Sequence, residues 1–504
     1  MIESVPSQAA PKRGRSHRTA WIVAVCVALA VVVAGILLDR AWPFTRKKII
    51  AALHDATGGK VEIRKFRKTF FPPGGIAEDV AILPGDGAAA GTGIKISRLS
   101  IRSSYARLFG KHVQIALDGA EMDLSRPGVN NGFNFHSGSK AVVDQVTVRD
   151  SAIQFLDGNK PLRIEVHRLA LQNPGNGKAM TFDAKVRNPE PPGELHGLGR
   201  LGPWRSDDPR QTPIQGMYTL GHADLSSFGG ISGMLSSQGS FQGTIGQLEL
   251  QGTTDTPDFE VTHSGHKLHL AADYRAFVNG STGDVSLQEI HATFAHTNLN
   301  SQGQVAGKGR KVADLNFVSN DGRIEDILLM FIRAPKSPVT GSVDFHATAQ
   351  LRSQHEPFLK EVVFISDFSI ADGHFTKPET QYKMDELSQQ AQGEKKTEDP
   401  ATALSNLLGH VELRNGLATF SNLRFKVPGA SAHLHGTYDL ISEKIDLHGL
   451  LLMEADLPHA TSGIKSILLK PINVFLKKNR HGGARIPITI GGTYEHPNIK
   501  TDPM

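Results

Sequence analysis

The chain has 504 residues, 39% of them hydrophobic and 21% charged, with a net charge of +5. That balance excludes wholesale disorder and leaves room for several domains or one elongated repetitive one. Its single cysteine, Cys26, excludes an intramolecular disulfide and any cysteine-based zinc or iron–sulfur site.

Positive charge gathers near the N-terminus. Residues 1–19 set Lys12, Arg13, Arg15 and Arg18 against Glu3. Residues 46–68 set Arg46, Lys47, Lys48, Lys60, Arg64, Lys65, Arg67 and Lys68 against Asp55 and Glu62. Basic patches on both sides of an apolar run suit a membrane surface and argue against a nucleic-acid groove. The run itself, Ala20 to Leu38, carries no charge; as a helix it measures about 28 Å, close to the hydrocarbon core of a bilayer. It is longer than a usual signal-peptide core, and no convincing cleavage site precedes Asp39 and Arg40. The reading is an uncleaved single-pass anchor over 20–38 behind a cytoplasmic basic tail over 1–19, with the bulk of the chain on the far side.

Thr45 to Ala56 reads as a short amphipathic helix ended by Gly58-Gly59. Beyond it the pattern is alternation with period two, as in Val113-Gln114-Ile115-Ala116-Leu117, Leu162-Arg163-Ile164-Glu165-Val166 and Leu423-Arg424-Phe425-Lys426-Val427. Such strands bury one face and wet the other. Asp118-Gly119, Asp157-Gly158, Asp372-Gly373 and Asn415-Gly416 supply the positive φ angles of tight hairpin turns. A loose module recurs: a short alternating run, a turn at Asp or Asn, then another run. Copies are Val146–Asp150 into Ile153–Phe155, Phe368–Gly373 before Phe375, and Val411–Gly416 into Leu417 and Phe420. The fold class is therefore mainly β, an elongated antiparallel meander with a few short helices. Three stretches depart from it. Thr380–Glu398 is polar, a surface helix or loop; Ala401–Leu408 reads as a short helix; and 464–478 reads as a basic amphipathic helix interrupted at Pro471, either a cap on the sheet or a membrane- or partner-facing element. The organisation is then a long β part over 39–378, a polar insertion over 379–408 and a second β part over 409–504.

No catalytic constellation emerges. Gly197-Leu198-Gly199-Arg200-Leu201-Gly202 fits a dinucleotide fingerprint on paper, but Pro203, Trp204 and Pro209 follow where a helix must start. His263, His266 and His269 are closely spaced and His433 and His435 alternate, yet each occupies a solvent-facing strand position without a convergent carboxylate. No cofactor, metal or catalytic residue is assigned.

The order of features resembles the AsmA-like family of bacterial envelope proteins, related to the TamB and YhdP group. The resemblance rests on Thr57–Ile63 after the first helix, Phe71-Pro72-Pro73, His112–Gly119, Gly409–Phe420, Val427–Ala430, His435–Leu440 and Ile486–Thr493 before Pro497. It implies an inner-membrane anchor, a periplasmic bulk, and a long β-groove linked to lipid transport and outer-membrane integrity, with no catalytic residues. Phospholipid or another acyl-chain lipid would be the cargo, and envelope proteins at the C-terminal end the protein partners.

Alternation alone leaves two arrangements open: apolar faces stacked as a sandwich core, or one sheet curled into a trough that shields acyl chains. For the trough, the candidate lining is Val113, Ile115, Leu117, Val146, Val148, Ile164, Val166, Leu413, Leu423, Phe425 and Val427. The rival function is an envelope assembly factor that docks proteins by its sheet edges and carries no lipid.

Overall fold

The structure, a computed structural model, describes residues 42–83, 93–108, 112–123, 142–157, 160–174, 178–205, 208–280, 282–306, 312–352, 357–392, 402–453, 484–493 and 496–501. The basic tail, the anchor over 20–38 and the amphipathic helix over 464–478 lie outside these residues. No helix among the described residues is long and apolar enough to cross a membrane.

The first helix, α1 (Arg46–Thr57), forms where the sequence places it. Thr45 Oγ1 accepts from the Lys48 amide at 3.4 Å, and Gly58 closes the other end at φ 69° with its N–H on the His54 carbonyl. After α1 come β1 (Lys60–Thr69), β2 (Gly74–Leu83), β3 (Gly93–Arg102), the single turn α2 (Tyr105–Leu108) and β4 (His112–Asp123), the four strands paired antiparallel in chain order. β4 then pairs with β5 (Val142–Asp157) in parallel. From β5 the meander resumes through β6 (Lys160–Gln172), β7 (Met180–Pro189), β8 (Pro192–Leu201) and β9 (Pro213–Asp224). The two-residue β10 (Ile231–Ser232) sits against β12 (Gln247–Val261), while β11 (Met234–Thr244) bridges β9 and β12.

Next are β13 (Lys267–Asn279), β14 (Val285–Phe294), β15 (Thr297–Val305) and β16 (Val312–Arg323), then α3 (Ile324–Leu329) and β17 (Val339–Arg352). The turn α4 (Phe358–Glu361) leads into β18 (Val362–Phe375), and α5 (Pro378–Ala391) precedes β19 (Ser405–Arg414). β20 (Leu417–Val427), β21 (Ala430–Asp439), β22 (Lys444–Met453), β23 (Ala484–Thr493) and β24 (Pro497–Thr501) complete one continuous sheet. The ladder runs unbroken from β18 to β19, across the polar insertion. The sheet has two rims: a first at the starts of β1, β13, β17 and β21, a second at their ends.

Two sequence expectations need correction. Residues 405–408 are strand, part of β19, and not a short helix. The polar segment after Thr380 does form a helix, but not a surface one: Asp385, Glu386, Leu387, Ser388 and Gln389 are all buried. Its polar groups find partners that composition does not reveal, since the Asp385 carboxylate accepts from the Ala403 amide at 2.8 Å and Ser388 donates to the Pro428 carbonyl at 2.9 Å.

Gly158 lies outside the described residues, and the other expected Asp-Gly and Asn-Gly turns divide into two kinds. Asn415-Gly416 is a true two-residue hairpin, both residues at positive φ (52° and 78°), joining Arg414 to Leu417. Gly119 and Asp372 instead lie inside β4 and β18, at φ 63° and 54°. The two modules read as strand–turn–strand at Asp150 and Asp372 are therefore single long strands, β5 and β18, interrupted by one left-handed residue. Asp79 in β2, His222 in β9, Asp321 in β16 and Asn422 in β20 do the same. Such a residue bends the strand and shifts its pleat by one. Apolar residues spaced three apart across the interruption consequently share a face: Ala77 with Val80, Leu117 with Ala120, and Phe420 with Leu423 each pack into one cluster.

Candidate functional site: an apolar face along the sheet

Residues directly opposite one another on a ladder share a face, so one row can be followed strand by strand. It runs Ile101, Ile115, Val146, Leu171 and Phe182 from β3 to β7. After Gly199 and Gly216 it continues through Phe241, Leu250, Ala276 and Leu287. Gly303, Leu315, Ala349, Phe364, Leu413 and Ala418 carry it on to β20. No charged side chain interrupts this row.

The ends of the face are covered. Over β1–β4, Ile49, Ile50 and Leu53 of α1 pack on Ile63, Val80 and Leu99, while Trp42 and Phe44 cover Val113 and Ile115. Over β17–β19, α3 packs through Ile324, Ile327 and Leu328 on Val343 and Ile370, and Leu359 of α4 packs with Leu413 and Ala418. Over β20–β23, Leu387 and Ala391 of α5 lie against Leu423, Val427 and Leu451. Between the covered ends the same face is buried at Ala276, Ala292 and Phe294 but half-buried at Leu169, Leu171, Leu220, Phe241, Leu250 and Leu315.

Each candidate lining residue falls on this face, in two different settings. Val113, Ile115 and Leu117 belong to the N-terminal packed end, and Leu413, Leu423, Phe425 and Val427 to the C-terminal one. Val146, Val148 and Ile164 are half-buried beyond the N-terminal cap, beside the buried Val166. Gln114, Arg149 and Lys426, each next in sequence to a lining residue and on the opposite face, are exposed.

Sequence reasoning missed the middle of the face. There, rings lie across glycines: a Cβ on Gly199 would stand 2.9 Å from Phe182 Cε1 and 2.1 Å from the Gln215 carbonyl, and one on Gly252 would stand 2.8 Å from the Tyr218 hydroxyl. Phe182 and Phe241 approach to 6.3 Å between centroids. The readable signal was a glycine paired with an aromatic one or two strands away. The Tyr218 hydroxyl hydrogen-bonds Ser237 Oγ at 3.1 Å and the Tyr274 hydroxyl, and burial pushes its pKa above the ordinary tyrosine value.

Residues far apart in sequence meet along the first rim and between the two rims. His263, in the turn after β12 on the first rim, donates from Nε2 to the Leu440 carbonyl on the second rim at 3.0 Å. Its Nδ1 accepts from the Arg333 guanidinium at 3.2 Å. His266 Nε2 donates to the Ala334 carbonyl at 2.9 Å, and Phe358 packs against Gly230. Two of the three clustered histidines thus occupy structural contacts at the rim, not solvent-facing strand positions. His269 pairs with Asp255 at 2.6 Å, and His433 and His435 are exposed. Among the described residues no three His, Cys, Asp or Glu side chains gather as metal ligands.

Other chemistry is sparse. The G-x-G-x-x-G stretch begins in β8, with Gly199 under Phe182. A depression of about 1060 Å³ opens at the second rim among Arg200, Gln215, Gln242, Glu249 and Phe277. Its carboxylate is held ionised, since hydrogen bonds first from Gln242 and then from Arg275 keep the Glu249 pKa below the usual range. A carboxylate so held is a poor general acid. No family model, curated protein or solved structure matches the chain.

Proposed function

We propose that this chain is a non-enzymatic, membrane-anchored envelope protein whose sheet curls into a trough and shields lipid acyl chains, as the AsmA-like resemblance implies, in transport to or maintenance of the outer membrane. The observation that carries the reading is the uninterrupted apolar row, capped at both ends and half-buried at most positions between them. Curling is supported by the His263–Leu440 bond: β12 and β21 are nine strand steps apart, about 43 Å in a flat sheet, yet their ends touch. The left-handed residues inside β2, β4, β5, β9, β16, β18 and β20 supply a bend per strand. Each methylene withdrawn from water contributes about 0.8 kcal/mol, so holding a lipid requires no covalent chemistry.

Photo-crosslinking amino acids placed in living cells at Val148, Leu171, Leu250 and Leu315 test the reading, with Gln114, Arg149 and Lys426 as controls. Lipid adducts confined to the first set are expected. Absence of lipid adducts there, with protein adducts at the controls, would replace the trough by a docking scaffold.

A further inference from the structure

The loop between β1 and β2, on the second rim at the N-terminal edge of the sheet, exposes aromatic side chains. Phe71 is 88% exposed, Phe70 40% and Tyr105 42%. The loop is held in shape: the Tyr105 hydroxyl donates to the Phe70 carbonyl at 2.7 Å, and the Phe71 and Tyr105 rings stand 5.8 Å apart. Behind them the buried Trp42 lies 4.8 Å from Phe70 and donates its indole N–H to the Gly74 carbonyl at 3.1 Å. Leaving a phenylalanine ring in water is costly, and a fixed loop that does so is built for an apolar neighbour.

Charge identifies that neighbour. The rim residues of this corner, 66–76 and 99–106, hold Arg67, Lys68 and Arg102 and no acidic residue. Arg67 is exposed near the end of β1, and the exposed Arg102 stands opposite Gly74. Aromatic rings at a loop tip with cations behind them match the interfacial zone of a bilayer, where rings enter the headgroup layer and cations meet lipid phosphates. Chain connectivity agrees. Trp42 follows Leu38, the last residue of the uncharged apolar run, by four residues, a reach of at most about 14 Å.

We propose that the corner formed by Phe70, Phe71, Tyr105, Arg67 and Arg102 is seated on an anionic lipid surface, with the Phe71 ring in the headgroup layer. It rests on the anchored reading of residues 20–38 and is independent of whether the apolar face carries lipid. The single native cysteine makes the test clean. In the Cys26→Ser chain, Phe71→Cys carries an environment-sensitive NBD fluorophore, and Ile441→Cys, exposed at the second rim far along the sheet, carries it in a separate sample. The full chain is reconstituted into phosphatidylcholine vesicles with and without phosphatidylglycerol, and the probe is quenched by nitroxide-bearing lipid. Severalfold stronger quenching and a blue-shifted emission at position 71 than at 441 are expected, greater with phosphatidylglycerol and reduced in Arg67→Gln/Arg102→Gln. Equal quenching at 71 and 441 in chain that remains with the vesicles overturns the seating and leaves the anchor standing. Failure of the chain to remain with the vesicles overturns both.

Discussion

At the residue scale, aspartate and asparagine carry much of the architecture through one backbone property. Their side chains tolerate the left-handed region, and the sequence flags the positions where that region is used. What it does not flag is whether the chain then reverses, as at Asn415-Gly416, or merely bends, as at Asp150 and Asp372. The φ requirement is identical in a hairpin and in an interrupted strand, and the difference lies in which residues pair afterwards. Replacing the exposed Asp150 by Gly should leave stability within roughly 0.5 kcal/mol, whereas Asp150→Val should lose about 1–2 kcal/mol in urea titration, because a β-branched residue resists positive φ. Equal losses in the two variants would contradict the bend. His263 provides a pH test. Its pKa sits below the ordinary value, first because burial penalises the charged ring and then because Arg333 stands beside it, while the bond to Leu440 and then Glu443 pull the other way without prevailing. The rim contact is therefore at full strength at neutral pH and weakens as pH falls below about 6.5, since the detached, solvated ring takes up the proton first. Amide protection around residues 437–443, the exchange rate referred to the intrinsic rate at each pH, should fall on acidification in the native chain and stay level in His263→Gln, where an amide N–H donates to Leu440 in place of the ring; a fall of the same size in both would refute the assignment.

At the element scale, the strands and α1 were legible because their signals are local: alternation, a threonine cap, a glycine stop. The helices that cover the C-terminal part were not. α5 reads as solvent-facing because its buried Asp385 and Ser388 look polar in sequence, and their partners, Ala403 and Pro428, lie on other segments. The division of the apolar face into packed ends and an open middle was equally invisible, since alternation marks a face without saying what rests on it. The two regions should respond differently to truncation. Leu387→Ala on α5 should cost about 2–4 kcal/mol, the range for a leucine deleted from a packed core. Leu250→Ala, on the half-buried middle, should cost about 1 kcal/mol or less, because less surface is re-exposed. Chemical denaturation of the two variants checks the order, and a reversed order would mean that the middle is packed and the ends are open.

At the scale of the whole molecule, nearly every ladder joins strands adjacent in the chain, so each strand is stabilised mainly by its two neighbours. Stability is then close to a sum of nearest-neighbour terms, and unfolding need not be all-or-none. Amide exchange should be slowest in β2–β3 and β20–β22, beneath α1 and α5, and fastest across β9–β15; uniform protection would show a single cooperative unit. One junction differs in kind. Where β4 meets β5, the strands run parallel, so the end of β4 and the start of β5 lie on opposite rims. No tight turn adjoins this ladder, so side-chain complementarity, Leu117 against Val148 and Ile115 against Val146, sets its register. The consequence is kinetic and practical. Docking of residues 42–123 onto the growing meander needs a non-local closure and belongs, with the β18–β19 and β22–β23 pairings, among the slow steps of assembly. A chain severed between 124 and 141 loses no ladder at all, so two separately produced pieces should find each other and rebuild the sheet, giving a split reporter whose signal reads the pairing of β4 with β5 alone.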